Sequence, residues 1–366
     1  MNKMVVANLV HRPIRSIISI IAIAVEVTLI LLMVGLATGL LDDAKERQRG
    51  VGADVIVRPP GSSMLIGVTG APVSTKVAGI LRKVPHVTVV SPVITQLSTA
   101  GAVEVIYGID LESFEALAPF HFLEGGPFSG PNDIIVDDYF ASSKNIHAGQ
   151  KVELLNHEFT VSGIVEHGKG ARKFVPLSTL QDLIGAPSKA SMFYVKLDDP
   201  TNQDVVAASI RSVPGMEKYV VTSLREFLSL MTMQSLPGLK YFIDVVIGVA
   251  VIIGFIVIFQ SMYTAVMERT REIGILKSLG ASKLYIINTI LRETVLLTVG
   301  GIVVGILVSY AARAGIVQRF PTLRVVVPGD WLLRASLIAI VGAVLGAIYP
   351  AFKAAHKDPI DALAYE

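Results

Sequence analysis

Apolar residues gather into four long runs, at residues 14–41, 241–267, 286–312 and 331–352, and a long stretch of mixed polar and apolar residues separates the first from the second. Each run exceeds the about 20 helical residues, rising about 1.5 Å each, that cross a hydrocarbon core. The last three lie almost end to end with charges only at their margins, which argues against buried helices of a soluble protein. The first outruns the apolar core of a signal peptide, and Val34-Gly35-Leu36-Ala37-Thr38-Gly39 continues the helix where a cleavage site would be expected. The pattern predicts a membrane protein with four transmembrane helices and a large extracytoplasmic α+β domain inserted between helices 1 and 2.

The finer pattern divides the rest of the chain. Residues 1–13 predict a cytoplasmic amphipathic helix with Val5, Val6, Leu9 and Val10 on one side, ending before Pro13. The inserted domain takes residues 42–240. Its opening charged stretch, 42–49, extends the first helix past the bilayer until Gly50 and Gly52 end it. Strands are expected at 53–57, 87–90, 103–107, 133–136, 151–155, 158–164 and 191–197. Helices are expected at 75–83, 111–117, 139–143, 178–184 and 201–212. Asn156-His157 marks a hairpin turn, and 62–71 is a glycine-rich tip carrying Met64, Leu65 and Ile66. A helix at 224–236 leads toward Pro237-Gly238, so both the first and second membrane helices are expected to continue outward as stalks. A cytoplasmic connection at 268–284, a short external loop at 313–330 and a cytoplasmic tail at 353–366 complete the division.

Charge sets the orientation. Lys3, His11, Arg12 and Arg15 precede the first helix; Arg269, Arg271, Lys277 and Lys283 lie between the second and third; Lys353 and Lys357 follow the fourth. These clusters put both termini and the 268–284 connection in the cytoplasm, against Arg313, Arg319 and Arg324 on the opposite side. A net charge of +2 is too small to point to nucleic acid, and the absence of cysteine excludes disulfides and thiolate metal sites.

Little in the chain points to catalysis. Gly163-Ile164-Val165-Glu166-His167-Gly168-Lys169-Gly170 approaches a phosphate-binding loop, but Gly170 stands where Ser or Thr must hold magnesium. His157 and His167, with Glu158 and Glu166, are explained more simply as solvated turn residues than as a metal or haem site. No nucleophile–base arrangement is present, so the chain is read as neither an enzyme nor a cofactor carrier. Glu26 lies deep inside the first membrane run, where an isolated charge is costly, and is a candidate intramembrane functional residue as well as a structural hydrogen-bonding one. Gly35/Gly39, Gly301/Gly305 and Gly342/Gly346 have the spacing that lets helices approach closely. Four helices enclose a pore poorly, which favours a second copy of the chain.

The strongest signal is Met267-Glu268-Arg269-Thr270-Arg271-Glu272-Ile273-Gly274-Ile275-Leu276-Lys277-Ser278-Leu279-Gly280-Ala281-Ser282. Its charged first half and apolar Ile273, Ile275, Leu276 and Leu279 describe a short amphipathic helix that Gly280 breaks. Mixed acids and bases suit a protein groove better than an anionic lipid surface. The stretch resembles the coupling helix of ABC-transporter permeases related to the macrolide exporter, the lipoprotein-release complex and the cell-division permease. Tyr349-Pro350-Ala351-Phe352-Lys353-Ala354-Ala355, with Asp358-Pro359-Ile360-Asp361-Ala362-Leu363, resembles that family's closing motif, though Ala364 stands where an arginine is usual. Asn8-Leu9-Val10-His11-Arg12-Pro13-Ile14-Arg15-Ser16 is similar to its pre-membrane segment. Ala53-Asp54-Val55-Ile56-Val57, Tyr107-Gly108-Ile109-Asp110 and Phe159-Thr160-Val161-Ser162-Gly163-Ile164 resemble its external domain.

The resemblance implies a multi-pass protein of a bacterial cytoplasmic membrane, two copies of which pair with two copies of a separate cytoplasmic ABC ATPase. ATP and magnesium would be bound by that partner, and a periplasmic adaptor is a further candidate partner. Mechanotransmission is implied: ATPase motion reaches the external domain and drives export or extrusion of an amphiphile, peptide, lipid or lipoprotein. The alternative is a non-transporting sensor or regulator coupled to an ATPase. By the same resemblance Glu272, Ile275, Leu276 and Leu279 seat in the ATPase groove, and Glu268, Arg269 and Arg271 make charged contacts at its edge. Leu276→Asp is then expected to abolish stimulated ATP hydrolysis.

Overall fold

The computed structural model describes residues 13–62, 70–98 and 104–357. The amphipathic helix expected at 1–13 lies, but for Pro13, outside them, as do Met64, Leu65 and Ile66 of the glycine-rich tip and the closing motif from Asp358 onward. The chain divides into two compact units. One holds the residues up to Gly39 with Pro237–Arg319 and everything from Val325; the other holds Leu40–Leu236 with Phe320–Arg324.

In chain order the elements are α1 (Pro13–Gly50), β1 (Val55–Arg58), β2 (Val73–Ser74), α2 (Val77–Leu81), β3 (Val87–Ser98), β4 (Glu104–Ile109) and α3 (Leu111–Glu115). Then follow β5 (Phe122–Gly125), β6 (Asp133–Asp137), α4 (Asp138–Lys144), β7 (Lys151–Leu154), β8 (His157–Val165), β9 (Lys173–Pro176) and α5 (Leu177–Leu183). The domain closes with β10 (Lys189–Ala190), β11 (Met192–Leu197), α6 (Gln203–Arg211), β12 (Val220–Ser223) and α7 (Leu224–Leu230). Long helices α8 (Pro237–Glu268), α10 (Lys283–Arg319) and α11 (Gly329–His356) follow, with α9 (Thr270–Ser278) between the first two.

The inserted domain is α+β. Among the described residues its main sheet runs β12-β1-β11-β3-β4-β9-β6-β8-β5, with β7 added onto β8 and a separate β2–β10 ribbon. Among the described residues only β4–β9 and β6–β8 are parallel pairs. Two apolar cores form along this sheet. Val77 and Leu81 of α2 and Val206 and Ile210 of α6 cover Val55, Phe193 and Val195; Phe140 of α4 and Leu180 of α5 cover Ile94, Ile106, Phe159 and Val175. Elsewhere in the domain Phe120 packs edge-on against Phe174 at 5.1 Å, and the hydroxyls of Tyr107 and Tyr194 meet at 3.1 Å. The last turns of α1 join the domain there: the Arg47 carbonyl accepts from the Gly170 amide at 3.0 Å, and Gln48 lies 3.5 Å from the Tyr194 hydroxyl.

Three details depart from the sequence pattern. The β7–β8 turn falls on Leu155 and Asn156, both at positive φ, one residue earlier than Asn156-His157. Such paired left-handed residues match the twist of the flanking strands, and a leucine there gives no turn signal. Strands β2, β5, β9, β10 and β12 are not foreshadowed. They are two to four residues long, too short for a periodic signal, and β5, at one end of the sheet order, buries none of its residues, so no alternation marks it. The helix expected at 224–236 stops at Leu230. Thr232 Oγ1 accepts from the Ser235 amide at 3.2 Å in a tight turn, and Pro237, which disfavours helix in the residue before it, starts α8 anew. Only α1 is therefore an unbroken stalk; at about 1.5 Å per residue its 38 residues span about 57 Å, beyond the about 30 Å of hydrocarbon.

In the helical unit α1, α8, α10 and α11 are each long and apolar enough to cross a membrane. Ile23, Val27, Ile30, Ala250, Ile258, Leu297, Ala339 and Ala343 form its core. The three glycine pairs behave differently. Gly301 and Gly305 form the seam between α10 and α1: an added Cβ would lie 2.6 Å from Ile23 Cβ at the first and 2.9 Å from the Ala24 carbonyl at the second. A Cβ at Gly346 would lie 2.9 Å from the Phe255 carbonyl of α8, whereas one at Gly342 would meet only Val251, at an ordinary 3.8 Å. Gly39 is buried, and Gly35 faces the chain returning from α10, accepting from the Val326 amide at 3.0 Å.

Candidate functional site: the coupling segment

The coupling segment is a helical reversal built from local signals. Arg269, outside helical geometry, separates α8 from α9. Thr270 Oγ1 donates to the Met267 carbonyl at 2.8 Å and steadies the joint. At the far end Gly280 adopts φ +92, its amide bonds the Lys277 carbonyl at 3.0 Å, and the Ala281 amide bonds the Leu276 carbonyl at 2.9 Å. This is a Schellman stop, which needs a residue free of the left-handed penalty. Ser282 Oγ then accepts from the Tyr285 amide at 3.2 Å and opens α10.

The two faces of α9 differ. Inward, Thr270 and Gly274 are buried, and Ile273 packs with Val266, Ile286, Ala354 and Ala355. Lys277 reaches the end of α11, donating to the Ala355 carbonyl at 3.0 Å and to the Lys357 carbonyl. A cation there complements the helix's negative end. Outward, Arg271, Glu272, Ile275 and Leu279 are exposed, the last two by 44 % and 80 %. Their spacing puts them on one side of the helix.

Not every expected groove residue faces outward. Leu276 is half-buried and lines a small apolar cleft with Val266, Ile286 and Ile290. Glu268 is exposed at the end of α8. Arg269 turns inward, 12 % exposed, and pairs with Glu293 of α10 at 3.0 Å; Arg15 of α1 holds the other oxygen of the same carboxylate at 2.8 Å. Glu293 carries no signal in the chain beyond being an acid near the start of an apolar helix.

Glu26 lies apart from this segment. It is 6 % exposed and occupies space left by Gly254 on α8, where any Cβ would collide with its carboxylate. Among the described residues its Oε1 has no hydrogen-bond partner. No group of three or more histidines or acids among the described residues is placed to hold a metal ion.

Residues 16–213, more than half of the chain, match the family model of the MacB-like periplasmic core domain. The chain belongs to the MacB/FtsX-like ABC-transporter permeases. Residues 245–359, which include α9, match the FtsX-like permease C-terminal model. Similar proteins include the uncharacterized ABC transporter permease YknZ of Bacillus subtilis, 32 % identical over 60 % of this chain and 55 % of its own length. The macrolide export ATP-binding/permease protein MacB of Bartonella quintana is 22 % identical over 97 % of this chain and 57 % of that protein. MacB of Aggregatibacter actinomycetemcomitans is 25 % identical over the whole chain and 61 % of its own length. This MacB/FtsX-like permease thus spans little more than half the length of these relatives. Among solved structures, the periplasmic region of MacB from Actinobacillus actinomycetemcomitans covers 48 % of the chain at 16 % identity and a TM-score of 0.37. The extracellular domain of YknZ covers 47 % at 17 % identity and a TM-score of 0.36.

Proposed function

We propose that this permease works with a separate cytoplasmic ABC ATPase, in a complex of two copies of each, to export or extrude an amphiphile, peptide, lipid or lipoprotein, with both termini and α9 on the cytoplasmic side. The outward stripe of α9 is the handle the ATPase grips: Ile275 and Leu279 enter an apolar groove while Arg271 and Glu272 pair at its edge. The observation that carries the reading is Leu279, 80 % exposed on a helix whose other face is fixed by Ile273 and Lys277. An isolated apolar patch at the rim of a membrane protein is what a docking surface requires. The basic residues against this orientation have structural work: Arg313 Nε donates to the Val325 carbonyl at 3.0 Å, and Arg324 pairs with Glu46.

Leu279→Asp tests the reading better than Leu276→Asp, because Leu276 also lines its own apolar cleft. In complexes purified from native membranes the variant is expected to lose at least tenfold of the copurifying vanadate-sensitive ATP hydrolysis, the scale of an apolar anchor exchanged for a charge in a groove, while the permease's thermal unfolding is unchanged. Undiminished hydrolysis would remove α9 as the docking element. Since the chain has no cysteine, maleimide labelling of Ser278→Cys from one side of the membrane reads the orientation without background.

A further inference from the structure

Glu293 is buried, charged and shared. Its side chain is 5 % exposed, and each carboxylate oxygen takes a different arginine: Oε1 accepts from Arg15 Nη2 at 2.8 Å and Oε2 from Arg269 Nη1 at 3.0 Å. The arginines belong to different elements. Arg15 is in the first turn of α1, and Arg269 is the N-cap of α9. Both are themselves largely buried, at 13 % and 12 %. Charge-assisted hydrogen bonds are short and directional, and they strengthen where water is excluded. The covalent link from α8 to α9 is a single non-helical residue, Arg269 at φ −105 and ψ 18.

We infer that Glu293 is the positioning residue that ties α9 to α1, so that displacement of the coupling helix is handed to the start of the first membrane helix. The inference rests on α9 being the ATPase-gripped helix. α1 is unbroken from Pro13 to Gly50, so a shift of its first turn moves a continuous rod. Glu293 sets the geometry because each of its carboxylate oxygens holds one of the two arginines. Arg15 is the leg to α1 and Arg269 the leg to α9. Lys277 on the end of α11 anchors α9 separately, so cutting the Glu293 contacts leaves the coupling helix in place.

The test uses the full chain with its copurified ATPase. Ser278→Cys reports the coupling helix, and Arg49→Cys, exposed in the last turn of α1, reports the far end of the rod. Maleimide labelling rates are compared without nucleotide and with ATP plus vanadate. With Glu293 intact, both rates should change on trapping. Glu293→Gln and Arg15→Gln should each reduce the Arg49→Cys response about threefold or more, the scale of a broken coupling between sites. Both should leave basal ATP hydrolysis within about twofold and the Ser278→Cys response in place. Glu293→Asp, which keeps the charge, should recover part of the Arg49→Cys response. If Glu293→Gln does not fold, Arg15→Gln carries the test alone, since it leaves the Arg269–Glu293 pair intact. An undiminished Arg49→Cys response in Arg15→Gln overturns the assignment. No trapping response at Ser278→Cys with Glu293 intact overturns the docking reading, a different failure from loss at Arg49→Cys alone.

Discussion

The two units of this permease each bury one ion triad, and the triads have opposite sense. In the helical unit an acid, Glu293, sits between two bases, Arg15 and Arg269. In the inserted domain a base, Arg172, sits between two acids, Asp137 at 2.9 Å and Asp43 at 3.5 Å, and also donates to the Thr322 carbonyl at 3.1 Å. Each gathers segments far apart in the chain. The second joins the outer turns of α1, the β6–α4 corner and the loop between α10 and α11. Desolvation offsets most of the attraction in such clusters, so they contribute little net stability, yet losing one member is severe because a charge is left buried alone. They also differ in depth. Arg172 and Asp137 are 9 % and 2 % exposed, and the Arg172 guanidinium lies 5.3 Å from the Tyr139 ring centre, which favours a lock. The arginines around Glu293 keep somewhat more access to water, which suits a joint that bears load.

The largest effect should come from Arg172→Met. Asp137 would be left buried without its cation, while Asp43 keeps Arg47 at 3.2 Å, a loss of about 3–5 kcal/mol, which for a unit of this size lowers the midpoint of thermal unfolding by about 6–20 °C. A change below about 1 kcal/mol would mean that Asp137 finds another partner, and the contrast in depth would fail.

A smaller effect, but one with a definite sign, concerns pH. Burial pushes the Asp137 carboxyl up to about 6, more than Arg172 and the Phe140 amide pull it down. The folded protein then holds that proton more tightly than the unfolded chain, whose carboxyl titrates near its ordinary value. The contribution is complete below about pH 4 and is lost as pH rises through about 6. Asp137→Asn has no such dependence and can still accept from the Phe140 amide, now at 2.7 Å. Relative to the native protein the variant should gain up to about 3 kcal/mol between pH 4 and pH 7.5 in denaturant titrations. A flat difference would mean that Arg172 cancels the burial.

The smallest effects calibrate the membrane side. Gly301→Ala should destabilise by about 1–3 kcal/mol through its collision with Ile23, whereas Gly342→Ala, with open space before Val251, should stay within about 0.5 kcal/mol. Equal outcomes in thermal unfolding would remove Gly301 from the α1–α10 seam.

Much of this was legible in the chain. The four membrane helices follow from unbroken apolar runs, and the alternating strands and helices of the insert from short periodic segments with glycine and proline at their ends. The α9 reversal was legible too, because Gly280 and Ser282 are local stop and start signals. What escaped were features with little local signature: the edge strand β5, which buries none of its residues, the short strands β2, β9, β10 and β12, a leucine in a left-handed turn, and the break after α7. Among site residues the outward stripe follows helical spacing, but the resemblance that implies a groove role for Leu276 and an edge role for Arg269 does not say which face is outward. Gly254 belongs to no glycine pair, yet it makes the space that Glu26 fills.

By itself the sequence determined which segments are helices long enough to span a membrane, where the domain is inserted and where the coupling segment turns, because these depend on hydrophobicity and backbone preference within a few residues. Tertiary structure alone decided which acid meets which base and which glycine meets which neighbour. Glu293 and Arg15 are far apart along the chain, and any of its acids could have paired with any of its arginines. Only the packing of α1 against α10, set by volume at Gly301 and Gly305, brings those two within hydrogen-bonding distance.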